Sequence, residues 1–289
     1  MITDSLWTAF GPSPLTQEDF EYFAGKIKKL SGISMKQAKL DLIKTRLTQR
    51  LREHSYKNFS DYRNYLETLP DTHEEWQEFI NILTTNKTDF FREPDHFHFL
   101  IQYILPKWLK EDKTTFHIWS AAASTGEEAY TLAMILKHYL PPGRDFKIIG
   151  TDIDTKVLKT AENAVYSLSK LHEIPDLYRD ECLDIGEREA KGWFRIKAHL
   201  KEKVTFVPHN LIEASFVDDK GAPKIFDLIL CRNVLIYFDK KTTELIAHKL
   251  YEHTIDQGFL FIGHSESFQG CTHSWLNHNS SIYQKAKRA

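Results

Sequence analysis

A chain of 289 residues with 42% hydrophobic and 13% aromatic residues carries enough apolar material for one or two domains with a sizeable core. A formal net charge of −2 argues against a nucleic-acid binder, no apolar run reaches membrane-spanning length, and the opening MITDSLWTAF lacks the charged and apolar regions of a leader. Three cysteines, Cys182, Cys231 and Cys271, odd in number and far apart, point to reduced thiols and a cytoplasmic setting.

Residues 1–85 read as a small all-helical domain. Four apolar stripes recur at helical spacing: Phe20, Phe23, Ile27 and Leu30; Leu40, Ile43, Leu47 and Leu51; Phe59, Tyr62, Leu66 and Leu69; Trp76, Phe79, Ile80 and Leu83. Gly32, the 55–58 region and Pro70-Asp71 supply the breaks. The second stripe lies in a basic stretch, 36–57, with Lys36, Lys39, Lys44, Arg46, Arg50, Arg52 and Lys57 against Asp41 and Glu53. Such a run is either a solvated face or a docking surface for an acidic helical partner.

The segment LTTNKTDFFREPDHF follows, over 83–97. It reads as a linker anchored by Phe90 and Phe91, able to fold Asn86, Thr88 and Arg92 over a ligand. No CxxC or HExxH spacing occurs, so no metal site is expected, and His96 and His98 read as core or surface residues.

From about 115 the pattern alternates strand and helix, which predicts a parallel sheet covered by helices. Strands are expected at 115–121, 146–151, 204–208, 226–231, 259–263 and 281–285. The first ends in AAASTGEEAY, a turn of small residues that opens a helix, as in nucleotide-binding βαβ units. Glu127 and Glu128 follow Gly126 where a phosphate-binding loop would place a Lys. Two carboxylates repel a phosphate and suit a cation such as S-adenosylmethionine. Glu128 also fits a capping box with Thr125, and Glu127 is then left for the ligand's amino group.

Asp152 stands directly after the second strand, where an acid can accept both ribose hydroxyls. NAD would ask for the same acid, but the chain lacks GxGxxG. Asp154 is placed to cap the helix at 155–163. An insertion at 167–201 is too long for a simple crossover. It contains one short strand near 192–196 and reads as a small β subdomain, whose edge could pair with an extended peptide.

The pieces TTNKTDFFRE, WSAAASTGEEAY, TDIDTKVL, NL at 210–211, FDLILCRNVLIYFD and GFLFIGHSESF together resemble the chemotaxis receptor methyltransferase (CheR) family, in its order and spacing. Ala129 stands where that family usually has Pro, and Gln257-Gly258 replaces its usual Pro-Gly. The resemblance implies an α/β fold: a Rossmann-like class I methyltransferase sheet domain over 115–289, an N-terminal helical domain over 1–85, a cofactor-covering linker over 86–114 and the inserted β subdomain. It implies methyl transfer from S-adenosylmethionine to glutamates of methyl-accepting chemotaxis receptors, leaving S-adenosylhomocysteine. By position, Asn86, Thr88 and Arg92 would enclose the cofactor. Glu127 would meet its methionyl end, Asp152 the ribose, and Asn210 and Leu211 the adenine. Arg232 and Asn233 would stand near the reacting groups, with Arg92 and Tyr237 bordering the methyl transfer. Tyr237 among apolar neighbours also reads as a core aromatic, and Arg232 as half of a structural ion pair. Receptors would be met through the basic stretch 36–57 and the β subdomain, by a monomeric enzyme.

Overall fold

The structure is a computed structural model, and it describes residues 14–213, 216–217 and 224–287. The opening segment 1–13, read above for leader signals, lies outside them. The chain divides into two compact units, 1–85 with 237–239, and 86–236 with 240–289.

In the first unit the four stripes become four helices, α1 Gln17–Ser31, α2 Leu40–Glu53, α3 Phe59–Thr68 and α4 Glu74–Leu83. Three of their starts are capped by side chains: Thr16 Oγ1 accepts the Asp19 N–H, Asn58 Oδ1 the Asp61 N–H and His73 Nδ1 the Glu75 N–H. Gly32 ends α1 at φ 77°, a left-handed conformation that glycine adopts without penalty. Phe23, Ile27, Ile43, Leu47, Leu51, Tyr62, Leu66 and Phe79 are fully buried.

Two of the basic residues of α2 do not face solvent as the stretch suggested. Arg46 donates to Leu83 O at 2.7 Å and to Thr84 O, closing off the carbonyl end of α4. Arg50 pairs with the buried carboxylate of Glu75, which also accepts the Tyr62 hydroxyl at 2.6 Å. A buried carboxylate needs such a partner, and sequence spacing cannot show that Glu75 lies inside. Lys36, Lys39, Lys44, Arg52 and Lys57 remain exposed.

The second unit begins with α5 Pro94–Phe99, a π-helical turn Leu100–Ile104 and α6 Leu105–Trp108. The sheet elements follow: β1 Thr115–Ser120, α7 Glu127–Tyr139, β2 Asp145–Asp152 and α8 Thr155–Asn163. The insertion holds β3 Val165–Ser167, α9 Asp176–Cys182, β4 Leu183–Ile185, β5 Trp193–Ile196 and α10 Ala198–Lys201. The main sheet resumes with β6 Val204–Pro208, β7 Phe226–Cys231, α11 Lys240–Glu252, β8 Thr254–Ile262, β9 Leu276–Asn277 and β10 Ile282–Gln284.

Seven strands form one sheet in the order β6-β2-β1-β7-β8-β10-β9. The first five run parallel, and β10 pairs antiparallel with β8 and β9. Strand order reverses beside β1, so a crevice for a ligand is expected at the carboxyl ends of β1, β2 and β7. Strand β7 is buried along its whole length, as a central parallel strand must be. The six expected strands all occur, but β8 starts at Thr254, five residues early, with a register irregularity where Phe226 pairs Thr254 and Leu228 pairs Phe259.

The insertion is a separate three-stranded antiparallel sheet, β3-β5-β4, beginning at Val165. Only β5 had been legible. Among the described residues, no helix is long and apolar enough to cross a membrane.

Candidate active site

The turn after β1 is strung between its two neighbours in the sheet. Ala121 N–H donates to Leu230 O at 2.7 Å, and Ala123 N–H donates to Thr151 O at 2.9 Å. Gly126 then opens α7 at φ 94°. A Cβ there would lie 2.9 Å from Ala161 Cβ and 3.1 Å from the Tyr166 oxygen, so both the backbone angle and the space demand glycine.

The capping box expected of Thr125 and Glu128 does not form. Gly126 is the cap residue and no side chain caps α7. Thr125 Oγ1 instead donates to Glu127 Oε2 at 2.6 Å. Glu128 accepts the Ser120 hydroxyl at 2.6 Å and pairs with Arg232 at 3.0 Å. A buried guanidinium is a stronger partner for that carboxylate than one backbone amide.

Glu127 is buried, and its other oxygen lies 2.8 Å from Lys170 Nζ. Lys170 also donates to Thr88 O at 3.1 Å. The turn therefore presents an anion and a cation side by side, rather than a bare carboxylate. The same two segments are joined again by the Phe90 N–H, which donates to Glu173 Oε2 at 2.8 Å.

Asp152 closes β2. Its Oδ2 accepts the Ser124 N–H and its Oδ1 the Asp154 N–H, both at 2.9 Å. It is largely buried, and among the described residues no cation is paired to it. Burial pushes its pKa up to about 6, against the pull of those amide donors and with a push from neighbouring Asp154. Asp154 caps α8 through Oδ1, accepting the Lys156 N–H at 2.9 Å, and accepts the Asn86 side-chain amide through Oδ2 at 2.6 Å. Asn86 O in turn accepts the Ser124 hydroxyl at 2.8 Å. Thus 86–88 is tied across both the β1 and β2 turns.

Arg92 lies between two left-handed residues, Phe91 at φ 52° and Glu93 at φ 57°. Its guanidinium donates to Lys87 O at 3.0 Å and stays half-buried. Phe90 packs edge-on to Tyr166 and Phe91 stacks on Tyr178, so the segment is both anchored and draped over the strand ends. Asn210 and Leu211 follow β6, next to Asp152, whose carbonyl accepts the His209 N–H at 3.0 Å. Asn210 is buried and bonds Glu213 and the Ile212 N–H.

The tip of β7 is different. Arg232 is buried, and its guanidinium is spent on Glu93, Glu128 and Arg92 O, above the Phe97 ring. Asn233, left-handed at φ 58°, gives its amide to Glu93 Oε1 at 3.1 Å and its N–H to Glu266 Oε2 at 2.8 Å. Glu266 is buried and also accepts the Gly263 and Ile236 N–H groups. Burial raises its pKa, while burial of Glu93 is outweighed by Asn233 and Arg232, which hold that carboxyl below its usual range. Cys231 is fully buried with its thiol pKa pushed up by burial, inert as a nucleophile.

Asn86, Thr88, Arg92, Glu127, Asp152, Asn210, Leu211, Arg232 and Asn233 thus all belong to segments at the strand ends of the second unit. Tyr237 ends the short 3₁₀ turn Leu235–Tyr237 and groups with the helical unit, its carbonyl accepting the Ser34 N–H at 2.8 Å. Lys170, Glu93 and Glu266 are site residues that sequence reasoning did not single out. The one signal for them was that Glu93 and Glu266 lie inside the motif pieces TTNKTDFFRE and GFLFIGHSESF.

Comparison with known proteins identifies the family. Residues 18–84 match the all-alpha domain of CheR methyltransferases, and residues 86–283 match the S-adenosylmethionine-binding domain of the same family. A chemotaxis protein methyltransferase of Salmonella typhimurium is 36% identical over 275 residues, covering 94% of this chain and 92% of that one. Its namesake in Escherichia coli is 35% identical with the same coverage, and that of Borreliella burgdorferi is 38% identical over 246 residues, covering 83% of this chain and 84% of its own. With both of its units matched, the chain belongs to the CheR family of S-adenosylmethionine-dependent methyltransferases.

Proposed function

We propose that this enzyme transfers the methyl group of S-adenosylmethionine to glutamate side chains on the cytoplasmic helices of methyl-accepting chemotaxis receptors, giving glutamyl methyl esters. The observation that carries the reading is full-length similarity to several chemotaxis protein methyltransferases. The chemistry of the strand-end site supports it.

The donor set suits the cofactor. Asp152 already holds two backbone amides, yet a carboxylate has lone pairs to spare for a ribose diol. The methionyl end of the cofactor is a zwitterion, and the Glu127–Lys170 pair is its complement. The ammonium goes to Glu127 and the carboxylate to Lys170, so each buried charge keeps an opposite partner on binding. Asn86 and Thr88 cover the site, while Asn210 and Leu211 hold the adenine side. Arg232 and Asn233 act by fixing the β7 tip rather than by touching the cofactor.

A glutamate has a reference pKa of about 4.3 and is an anion at neutral pH, so no general base is needed. Its oxygen attacks the methyl carbon, the new C–O bond forms as the C–S bond breaks, and S-adenosylhomocysteine leaves. Opposite charges merge in that step, so a dry pocket and in-line placement favour it. Arg92 positions the receptor carboxylate, and the Tyr237 hydroxyl orients it. A Tyr237→Phe change should lower kcat about tenfold while leaving cofactor affinity in place, read by initial rates beside calorimetric binding.

The exposed basic residues of the stretch 36–57 and the edge of the β3-β5-β4 sheet are the surfaces we assign to the receptor, which the enzyme meets in the cytoplasm as a monomer. The test is methyl transfer from labelled cofactor to a receptor cytoplasmic fragment. Label released as methanol by mild alkali is the expected result. Base-stable label would move the enzyme to another acceptor, and cofactor binding without transfer would point to a sensory module.

A further inference from the structure

Behind the β7 tip, three side chains converge that the methyl-transfer reading does not use as ligands. His96 is completely buried, with its ring stacked on Phe261 at 4.9 Å. Its Nε2 lies 2.9 Å from Ser281 Oγ, but its Nδ1 is buried without a hydrogen-bond partner. An unsatisfied buried polar atom costs about 1–3 kcal/mol and calls for a physical reason. That nitrogen faces Glu93 Oε2 at 3.6 Å, which is too long for a hydrogen bond. It is close to the separation of about 3.4 Å that two ligands have across a tetrahedral ion with bonds of about 2.1 Å. His264, exposed just beyond the end of β8, brings its ring edge-on to His96 at 4.9 Å. One donor atom from each of Glu93, His96 and His264 falls within 4.8 Å of the others.

We propose that Glu93, His96 and His264 form a binding site for a divalent cation of the zinc class, with water as the fourth ligand. An N2O donor set with one open position is what such an ion takes. The outer shell is already built. In the tautomer that donates Nε2–H to Ser281 Oγ, the Nδ1 lone pair is the atom left facing Glu93. Arg232 and Asn233 hold the carboxylate of Glu93 in place.

The charge balance points the same way. Arg232 is paired to both Glu93 and Glu128, while Glu266 is held only by backbone amides. Two carboxylates thus share one guanidinium, with the Glu266 carboxyl beside Asn233, and a cation corrects the excess. His264 stands at the solvent edge, so it is both the entry path and the ligand that swings in to close the site.

The test uses the full-length chain stripped with a chelator and titrated with Co2+, then Zn2+. One tightly bound Co2+ per chain, with the visible absorption of a tetrahedral ion, displaced by Zn2+, is the expected result. His264→Ala, a change at an exposed position, should weaken binding at least ~100-fold, since even outer-shell changes cost 10–100-fold. His98→Ala, at an exposed histidine two residues from His96, should leave it unchanged. His96→Gln provides a second removal of a ligand, and Zn2+ should raise the unfolding temperature of the parent but not of either ligand variant. Equal affinity in parent and His264→Ala, or only weak multi-site binding spread over the 14 histidines, would overturn the site.

Discussion

The β2 and β7 tips sit two strands apart in one sheet and both carry partly buried acids, yet they treat charge in opposite ways. At β7, Glu93 and Glu128 are matched by Arg232 from within the protein, and each of the three guanidinium nitrogens donates a hydrogen bond. At β2, Asp152 accepts backbone amides, pairs with no cation among the described residues, and has a pKa raised to about 6 by burial. A compensated cluster is framework, and an uncompensated one waits for a ligand. On that reading Arg232 and its partners hold the site, and Asp152 is left free to take a ligand.

The largest expected effect breaks the framework side. Arg232→Met leaves two buried carboxylates unpaired and should destabilise the fold by about 3–5 kcal/mol, read as a shift in the urea unfolding midpoint. Asp152→Asn tests the other side. It should weaken cofactor binding by about 10–100-fold, the worth of hydrogen bonds to a charged group, with the unfolding midpoint unchanged or slightly higher. The sign of the second effect follows from the raised pKa. A carboxyl lifted from 3.8 to about 6 contributes stability that is present below 3.8 and lost as pH rises through 6. At neutral pH the ionised Asp152 therefore weakens the fold, and the amide removes that penalty.

The same pKa sharpens the contrast through pH. Ribose hydroxyls donate to the ionised carboxylate, so binding favours loss of the proton. Cofactor affinity measured by calorimetry should fall by about tenfold per unit below about pH 6, and the Asp152→Asn variant should show no such slope. The smallest effect is expected at Lys170, which is 30% exposed. Lys170→Gln should weaken cofactor binding by about 3–5-fold, in line with a screened ion pair. Tighter binding in this variant would mean that Lys170 competes with the cofactor for Glu127 instead of holding its carboxylate.

Local signals in the chain reached some of this and not the rest, for physical reasons. The four helices were legible because Phe23, Ile27, Leu47, Tyr62 and their like recur at helical spacing and all go inside. The six main strands were legible because bulky buried runs such as 226–231 stand between polar breaks. Strands β3 and β4 have three residues each and β9 has two, too short for any period to register. At the site, Asp152 and Glu127 could be found from where a strand must end. Their partners could not. Lys170 comes from 43 residues beyond Glu127, and Glu93 meets Arg232 across 139 positions. Capping rules, which are local, misplaced Glu128 because a distant guanidinium outbid the nearby amide. Likewise His96 reads as a core residue from its spacing, and only the fold brings it to Glu93 and His264.

The two inward arginines of α2 set terms for how this protein can diverge. Arg46 seals the end of α4 and Arg50 neutralises Glu75, so a lineage that loses either must repair its helical unit at once. Lys36, Lys39, Lys44, Arg52 and Lys57 carry no such duty in the fold. Those exposed charges can be exchanged at little cost to the fold, while Arg46 and Arg50 keep the helix in place.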